Sequence, residues 1–394
     1  MEQMTKKLVV LFPYVFTKFD YYKYEIDKLY QTKGIDLEVH DLSSILNERK
    51  FNQAWKIRRK VFKKHKNFNN LFEWYKYLKK NKNHIVIYSF ISLTNFRSFL
   101  IHIAIWKIKC SLLIQSSEDV ATYKDKNNLF MQILEKKPNL NQILFHTKRN
   151  IVTFLINFFK FNEIVNLCIK KRNRTFNSFS NKNVQIISDD VSKCLGDHKN
   201  KKKTEKLAVY LDTPDPYFED DYMESGKKKN ISSEETQEYY SQLKNLFIKL
   251  KIKYGLKTIV IPHPKNKGVR NPYFNGYLYD HAVNAAQKNI KKSKLVISKG
   301  STAIAYGIFY KKPVILIYSN LLKDYRLKYD LYFQSKVTGS RVVDLSKNIN
   351  KYLNNLFSIN KKKYQNYKIK YMTGKLDKKI EPNYIVLRRL IKTL

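Results

Sequence analysis

Two short segments in the C-terminal half of the chain carry residues suited to binding an anion. In the first, the apolar run 259–261 leads directly into Pro262, His263 and Pro264. The prolines restrict where the imidazole can point, and the carboxyl ends of parallel strands line the ligand crevice of an open α/β sheet. A histidine there can donate to a phosphate oxygen or protonate a leaving group; the alternative is a turn histidine that only ends the strand.

The second segment places a glycine and two hydroxyl groups after another predicted strand. Gly300 permits a tight turn, and Ser301 and Thr302 are predicted to begin a helix that Gly307 allows to pack closely. Backbone N–H groups at a helix start, together with two hydroxyls, form an anion site of phosphate size, although the same residues suit an ordinary helix cap. The anion site is favoured because His263 lies about one strand–helix unit earlier, and the loops of successive strands often adjoin.

Strand-sized apolar runs alternate with helix-period segments along the chain, which is typical of a parallel α/β fold. Residues 8–12 form a continuous apolar run, as in a strand covered on both faces. After a polar segment with linker composition at 197–203, residues 207–211 begin a second series of strands. The other predicted strands are 35–40, 85–88, 111–114, 142–145, 184–187, 258–261, 295–297, 314–317 and 342–345.

We therefore predict an α/β protein of two Rossmann-like domains whose parallel sheets face a cleft. The N-terminal domain is expected over residues 1–195, a linker over 196–205 and the C-terminal domain over 206–394. A chain of 394 residues exceeds the usual size of one hydrophobic core, which favours two domains. The last stretch, 361–394, is predicted to be a mostly helical tail that can return to the first domain.

The net charge of +43 has three interpretations. It can reflect composition bias, because Asn, Ile, Tyr and Lys are residues that AT-rich codons encode. It can also serve attraction to an anionic membrane or binding of nucleic acid. Lysine far outnumbers arginine, the better reader of phosphates and bases, and the cations are spread over the whole chain. Nucleic acid is therefore not expected as a partner.

One basic stretch is a candidate for a membrane contact. Residues 55–66 interleave cations with Trp55, Val61 and Phe62, a composition that can lie on an anionic lipid surface. The alternative is a solvated helix face. The apolar stretch 99–115 contains three polar or charged interruptions and cannot cross a membrane.

Cysteine usage and the N-terminus predict a cytoplasmic protein, soluble or peripheral on the inner face of the membrane. The three cysteines, Cys110, Cys168 and Cys194, are an odd number and lack the spacing of a disulfide framework or a zinc cluster. The apolar part of segment 6–13 is too short for a signal peptide and suits a first strand.

The motif pair at His263 and Ser301-Thr302, followed by the segment 311–315 that leads into the next predicted strand, resembles bacterial GT-B glycosyltransferases of surface-polysaccharide synthesis. The resemblance is closest to sialyltransferases and related enzymes that use CMP-activated keto-sugars; it covers most of residues 205–320 and the first half only loosely. It implies that His263, Ser301 and Thr302 hold the donor phosphate, with Pro264 and Gly300 in the same donor-binding site. It also implies that neither a metal nor a cofactor is required.

Several of these families carry an acidic motif ending in glycine in the N-terminal domain, whose carboxylate takes a proton from the acceptor hydroxyl. The nearest match is Glu118-Asp119-Val120, in which valine replaces the glycine. The resemblance thus implies that Asp119, with Glu118, is the catalytic base. The competing carboxylates are Asp212, Asp215, Asp220 and Asp221.

The sequence as a whole predicts an inverting glycosyltransferase. It would transfer a nonulosonic acid or Kdo-like keto-sugar from a CMP donor to a lipopolysaccharide or capsule acceptor, with His263 acting on the departing phosphate. Its partners would be the nucleotide-sugar donor, a glycan or glycolipid acceptor and an anionic membrane surface. The alternatives are a UDP-sugar or CDP-polyol transferase on the same fold and, in another class, a basic nucleic-acid-binding protein.

Overall fold

The chain forms two compact units, each built on its own sheet. The computed structural model describes residues 6–47, 60–81, 85–91, 96–116, 163–169, 182–195, 204–213, 216–217, 231–264, 270–322, 325–374 and 380–394. The described residues of unit 1 fall within 6–187 and 381–394, and those of unit 2 within 188–380.

Unit 1 contains a seven-stranded sheet in the order β3-β2-β1-β4-β5-β6-β7, and every neighbouring pair is parallel. The strands are β1 (Lys6–Phe12), β2 (Ile35–Asp41), β3 (His65–Asn67), β4 (Ile85–Ser89), β5 (Ser111–Ser116), β6 (Glu163–Cys168) and β7 (Lys182–Gln185). The described helices of this unit are α1 (Lys18–Lys23), α2 (Ile26–Tyr30), α3 (Ser43–Asn47), α4 (Leu71–Lys80), α5 (Phe96–Ile108) and, at the C-terminus, α12 (Asn383–Thr393).

Strand β1 is apolar at every position from Leu8 to Phe12, because both of its faces are covered. Leu8 and Val10 belong to one buried cluster, which includes Leu387 of α12. Val9 and Leu11 belong to a second cluster on the opposite face. Since successive side chains of a strand point to opposite faces, a sheet covered on both sides favours apolar residues at successive positions of a strand.

Unit 2 contains a six-stranded sheet in the order β10-β9-β8-β11-β12-β13, again with parallel neighbours only. The strands are β8 (Leu207–Leu211), β9 (Lys257–Ile261), β10 (Leu278–Tyr279), β11 (Leu295–Ser298), β12 (Val314–Tyr318) and β13 (Arg341–Asp344). The described helices are α6 (Asp189–Cys194), α7 (Ser233–Tyr254), α8 (Ala285–Lys292), α9 (Ile304–Phe309), α10 (Tyr325–Thr338) and α11 (Lys361–Tyr367), and a π-helical segment (Lys368–Thr373) follows α11.

The two sheets share one topology. Numbered along the chain within each unit, the strand order is 3-2-1-4-5-6, with a seventh strand added in unit 1. This is the order of the doubly wound Rossmann fold, so the predicted α/β class with two Rossmann-like parallel sheets is confirmed. Three short or polar strands, β3, β6 and β10, were not predicted, and the predicted strand at 142–145 lies outside the described residues.

The unit boundaries differ from the predicted boundaries of 1–195, 196–205 and 206–394 in two places. The chain enters unit 2 at Ser188 rather than after residue 195, because α6 packs against α9. At the C-terminus, residues 381–394 belong to unit 1, where α12 packs against β1 and α2. The predicted helical tail begins at Lys361 as α11, and its part from residue 381 onward lies in unit 1.

Candidate functional site

Three neighbouring strands of unit 2 end at the same level, and this alignment brings the two sequence motifs to one edge of the sheet. Leu211, the last residue of β8, is paired with both Ile261 of β9 and Ser298 of β11. The amide of Asp212 then donates to the carbonyl of Ile261 at 2.9 Å. Because adjacent strands lie about 4.8 Å apart, the segments that follow β9 and β11 are separated by about 10 Å at their bases.

This edge contains the point at which the strand order of unit 2 reverses. From β8 the chain first adds β9 and β10 on one side and then β11 to β13 on the other. In open α/β sheets, ligands bind outside the carboxyl ends of the strands at such a switch point. We call this region the strand-end site; it comprises Asp212, Thr213, Pro262, His263, Pro264, Lys299, Gly300, Ser301 and Thr302.

His263 and its flanking prolines occupy the outer side of the strand-end site. His263 is half-buried and Pro264 is exposed, directly beyond the last residue of β9. The imidazole thus lies close to the sheet edge and belongs to no core cluster of the described residues.

The turn after β11 differs from the predicted helix start. Gly300 has φ +92°, a left-handed conformation that favours glycine. The amide of Ser301 donates to Oγ of Ser298 at 3.0 Å, and the amide of Ala303 donates to Oγ of Ser301 at 3.3 Å. Helix α9 begins only at Ile304. The amides of Ser301 and Ala303 are therefore used within the turn.

Both hydroxyls of the motif remain able to act on a ligand. Oγ of Ser301 accepts a hydrogen bond from Ala303, which leaves its own proton available for donation. Thr302 is exposed and Ser301 is half-buried. A phosphate beside this turn would therefore receive hydroxyl donors rather than the N-terminus of a long helix.

The floor of the strand-end site contains a buried acid and a buried base. Asp212 is 2% exposed and Lys299 is 3% exposed. They directly follow Leu211 and Ser298, which are paired in register, so their side chains project to the same face of the sheet. The ammonium of Lys299 lies 5.4 Å from the ring centroid of Tyr239 in α7. The pKa of Tyr210 is raised, first by burial and then by its neighbours Tyr239 and Asp212.

Sequence reasoning missed Lys299 and treated Asp212 only as a competing carboxylate. Strand alternation offered a signal, because Leu295 and Ile297 of β11 belong to the same buried cluster as Tyr210. Residue 299 continues this inward-facing series, and a charged residue at such a position is rarely buried without a specific role.

A group of contacting aromatic and cationic side chains lies at the end of the edge strand β10. The rings of Tyr279 and His281 have centroids 4.6 Å apart, and the guanidinium of Arg270 lies 5.1 Å from the Tyr279 ring. Arg270 is fixed by donating to the carbonyls of Phe274 at 3.2 Å and Tyr277 at 3.0 Å. Because β10 pairs with β9, the exposed His281 follows the strand next to that of His263. Strand β10 has two residues, too few to be recognised in the sequence.

The acidic candidates are mostly beyond the described part of the chain. Glu118, Asp119 and Val120 lie outside the described residues, as do Asp215, Asp220 and Asp221. Within the described ranges, no group of three His, Cys, Asp or Glu side chains is placed to hold a metal ion. All three cysteines are buried, and none forms a disulfide.

The basic stretch at 55–66 does not form a helix over its described part. Val61 and Phe62 pack against the core of unit 1, Lys64 pairs with Asp36 and β3 begins at His65. Residues 55–59 lie outside the described residues. None of the helices in the described ranges has the length and apolarity needed to span a bilayer.

Comparison with known proteins gives likeness in structure only. No protein-family model and no curated protein sequence matches the chain. Among solved structures, MurG of Acinetobacter baumannii has 9% identity and a TM-score of 0.47, with 99% of this chain and 100% of that chain covered. A putative UDP-N-acetylglucosamine 2-epimerase of Listeria monocytogenes has 9% identity and a TM-score of 0.48, with 99% and 96% covered. The spinosyn rhamnosyltransferase SpnG in complex with thymidine diphosphate has 8% identity and a TM-score of 0.47, with 98% and 99% covered.

Proposed function

We propose that this chain is a GT-B glycosyltransferase that binds the phosphate of a nucleotide-sugar at the strand-end site. The observation that supports this most directly is the common level at which β8, β9 and β11 end, since it places His263 and the Ser301-Thr302 turn at one edge. Imidazole and hydroxyl donors at a topological switch point suit a phosphate group. Pro264 and Gly300 shape the two loops of this donor-binding site.

The proposed reaction is an inverting, metal-independent transfer. The acceptor hydroxyl oxygen bonds to the anomeric carbon, the bond from that carbon to the phosphate oxygen breaks, and its electron pair stays on the departing phosphate. His263, Ser301 and Thr302 donate to the phosphate as this charge develops, which is the term that usually contributes most to catalysis. The acceptor proton passes to a carboxylate, for which the resemblance gives Asp119 with Glu118 beside it.

For the donor we propose a CMP-activated nonulosonic acid or Kdo-like sugar, and for the acceptor a lipopolysaccharide or capsule glycan. The likeness of the two motifs to those of sialyltransferases supports this choice. A UDP-sugar or a CDP-polyol is the alternative donor, because the fold does not select the nucleotide. Arg270, Tyr279 and His281, beside the β9 loop, are placed to contact parts of the donor beyond its phosphate.

A thermal-shift screen with CMP, CDP, UMP, UDP, thymidine diphosphate and GDP tests this proposal. A ligand present at 100 times its Kd stabilises the folded state by about 2.7 kcal/mol. We expect CMP or CDP to give the largest shift and His263→Ala to reduce it. A clear preference for UDP would overturn the CMP assignment alone. Binding of duplex DNA at physiological salt without a response to any nucleotide would overturn the proposed function.

A further inference from the structure

Helix α5 is apolar around most of its circumference, although one side faces solvent. Its inward residues, including Ile101 and Ile105, are buried in the core of unit 1. On the outward side Phe96 is 64% exposed and Trp106 is 36% exposed. Leu100 and Ile103 are half-buried and continue this outer row. A surface helix of a globular protein normally carries polar residues on that side.

Helix α4, beside α5, carries a further large exposed apolar residue. It packs beside α5, and Phe72 in its first turn is 66% exposed. Because α4 and α5 follow the carboxyl ends of β3 and β4, Phe72 and Phe96 occupy the first turns of two helices that begin at the same edge of the sheet. We call the surface formed by Phe72, Phe96, Leu100, Ile103 and Trp106 the α4–α5 face.

The charges around the α4–α5 face are almost all positive. Helix α5 contains no acidic residue, and α4 contains one, Glu73, beside its N-cap. Exposed cations border both helices: Lys76, Lys79, Lys80, Arg97 and Lys107. The ammonium of Lys76 lies 4.4 Å from the centroid of the Phe72 ring. The face therefore combines large apolar side chains with a rim of cations.

We propose that the α4–α5 face docks on the surface of an anionic lipid bilayer. Exposed phenylalanine and tryptophan side chains insert at the level of the headgroups, and each cation near an anionic bilayer adds about 1 kcal/mol of attraction. A second copy of the chain is a poorer occupant, because a two-fold contact would bring the same cations face to face.

This docking deepens the proposed function by giving the class of acceptor. The resemblance assigns the acceptor to the N-terminal unit, and a bilayer at the α4–α5 face of that unit selects a lipid-linked glycan. Only the step from bilayer to acceptor rests on the proposed function. The lipid contact itself requires no nucleotide and can be measured without one.

The test is co-sedimentation of the full chain with phosphatidylcholine vesicles, with and without phosphatidylglycerol. We expect the wild type to bind the anionic vesicles, with less binding as salt is raised, and to show a blue shift of tryptophan emission that Trp106→Phe removes. The double variant Phe72→Ser/Phe96→Ser should bind about tenfold more weakly or worse. Unchanged circular dichroism and thermal midpoint would show that the variant is folded.

Unit 2 offers a control in which two exposed apolar residues with neighbouring lysines lie on a helix outside the α4–α5 face. Ile248 and Ile252 of α7 are 50% and 79% exposed, and lysines lie beside them in the helix. The double variant Ile248→Ser/Ile252→Ser should bind anionic vesicles like the wild type. Full vesicle binding by the phenylalanine variant, or loss of binding in the isoleucine variant, would overturn the proposal. A change of oligomeric state in the phenylalanine variant with unchanged vesicle binding would instead identify a second copy as the occupant.

Discussion

The side chain of Asn383 forms two hydrogen bonds with the backbone of Ile187, 196 residues earlier in the chain. Its Oδ1 accepts from the Ile187 amide at 3.0 Å, and its Nδ2 donates to the Ile187 carbonyl at 2.8 Å. Both residues belong to unit 1, and Asn383 is 5% exposed. These bonds fasten the first turn of α12 to the segment that follows β7, the last part of unit 1 before the chain enters unit 2.

Removing this side chain should destabilise unit 1. Asn383→Ala leaves a buried amide and a buried carbonyl without their partner, at a cost of about 2–4 kcal/mol. All three tryptophans precede residue 188 in the sequence, so tryptophan emission during urea unfolding reports on unit 1. Thr393→Ala at the other end of α12, where the hydroxyl bonds only to Leu390, is the control and should cost about 0.5 kcal/mol or less. Equal losses of stability in the two variants would contradict the role of the Asn383 side chain in fastening α12.

A buried histidine network should make unit 1 sensitive to acid. Trp74 donates its indole N–H to Nδ1 of His40 at 3.2 Å, so Nε2 of His40 carries the proton and donates to Glu38 at 3.1 Å. Burial lowers the pKa of His40 to about 4. Burial alone would raise the pKa of Glu38, but hydrogen bonds from His40, Tyr77 and two lysines outweigh it and lower this pKa.

Both lowered pKa values make the folded state less stable as the pH falls. The unfolded chain protonates His40 near pH 6.5 and the folded chain only near pH 4, so stability falls as the pH drops through this window, by about 1.4 kcal/mol per pH unit. The contribution of Glu38 is present above its ordinary value of 4.5 and decreases below it. Urea unfolding followed by tryptophan emission between about pH 7.5 and about pH 4 measures the histidine part of this loss, and the part from Glu38 appears only as the pH falls further.

His102 provides a separate check on the acid response. Burial lowers its pKa to about 4 as well, Nδ1 donates to the Ser98 carbonyl at 2.7 Å, and Nε2 has no hydrogen-bond partner within the described structure. His102→Leu removes this titrating group without touching the His40 network. The variant should therefore lose about half of the histidine-dependent slope between pH 6.5 and pH 4.5. A slope equal to that of the wild type would show that His102 does not contribute.

Strands that consist of a long apolar run could be predicted from the sequence, whereas a strand with a buried polar residue was missed. Strands β1 and β8 are continuous apolar runs and were recognised at once. Strand β6 was not, because Asn166 interrupts it. In the structure Asn166 is buried and donates to the side chain of Asn183 on β7 at 3.1 Å. Asn183 provides the hydrogen-bond partner that Asn166 needs when buried, and the sequence alone does not show that these two residues are neighbours.

The site could be predicted in part, since its residues lie at strand ends. His263, Ser301 and Thr302 follow buried strands, and the shared edge of β9, β8 and β11 brings their loops together. The alternation of Leu295 and Ile297 pointed to an inward position for Lys299, but a lysine between Ser298 and Gly300 suits an exposed loop equally well. The register of β11 against β8 and the burial of Lys299 decide between the two.

Close packing behind the strand-end site gives a test of the predicted role of Gly307. A Cβ at this position would lie 2.8 Å from Cγ2 of Val314 and 3.4 Å from Cγ2 of Val296, which confirms the close helix packing expected from this glycine. Gly307→Ala should destabilise unit 2 by about 1–2 kcal/mol, as overpacking exceeds the gain in helix propensity. In Gly307→Ala/Val314→Ala the clash is removed, so the calorimetric loss should be smaller than the sum of the two single losses. Additive losses would contradict the contact.

Substitutions in the strand-end site test the proposed chemistry most directly. His263→Ala should reduce sugar transfer about a hundredfold, because one phosphate donor that acts in the transition state contributes on the order of 3 kcal/mol. Ser301→Ala should act in the same direction but less, since Thr302 still faces the phosphate. Ser346→Ala is the matched control: it is exposed beyond β13, the outer strand of the same sheet, and should transfer sugar at the wild-type rate.

The same assay distinguishes the proposed role of Asp119 as the catalytic base from the proposed role of His263 in binding the phosphate. Asp119→Asn should lower turnover and leave nucleotide affinity unchanged, because a base that accepts the proton of the acceptor does not contact the donor phosphate. His263→Ala, in contrast, should weaken nucleotide binding as well as turnover. A fully active Asp119→Asn protein would place the base on another residue. If His263→Ala also transferred sugar at the wild-type rate with unchanged nucleotide affinity, the strand-end site would not be the donor-binding site of this protein.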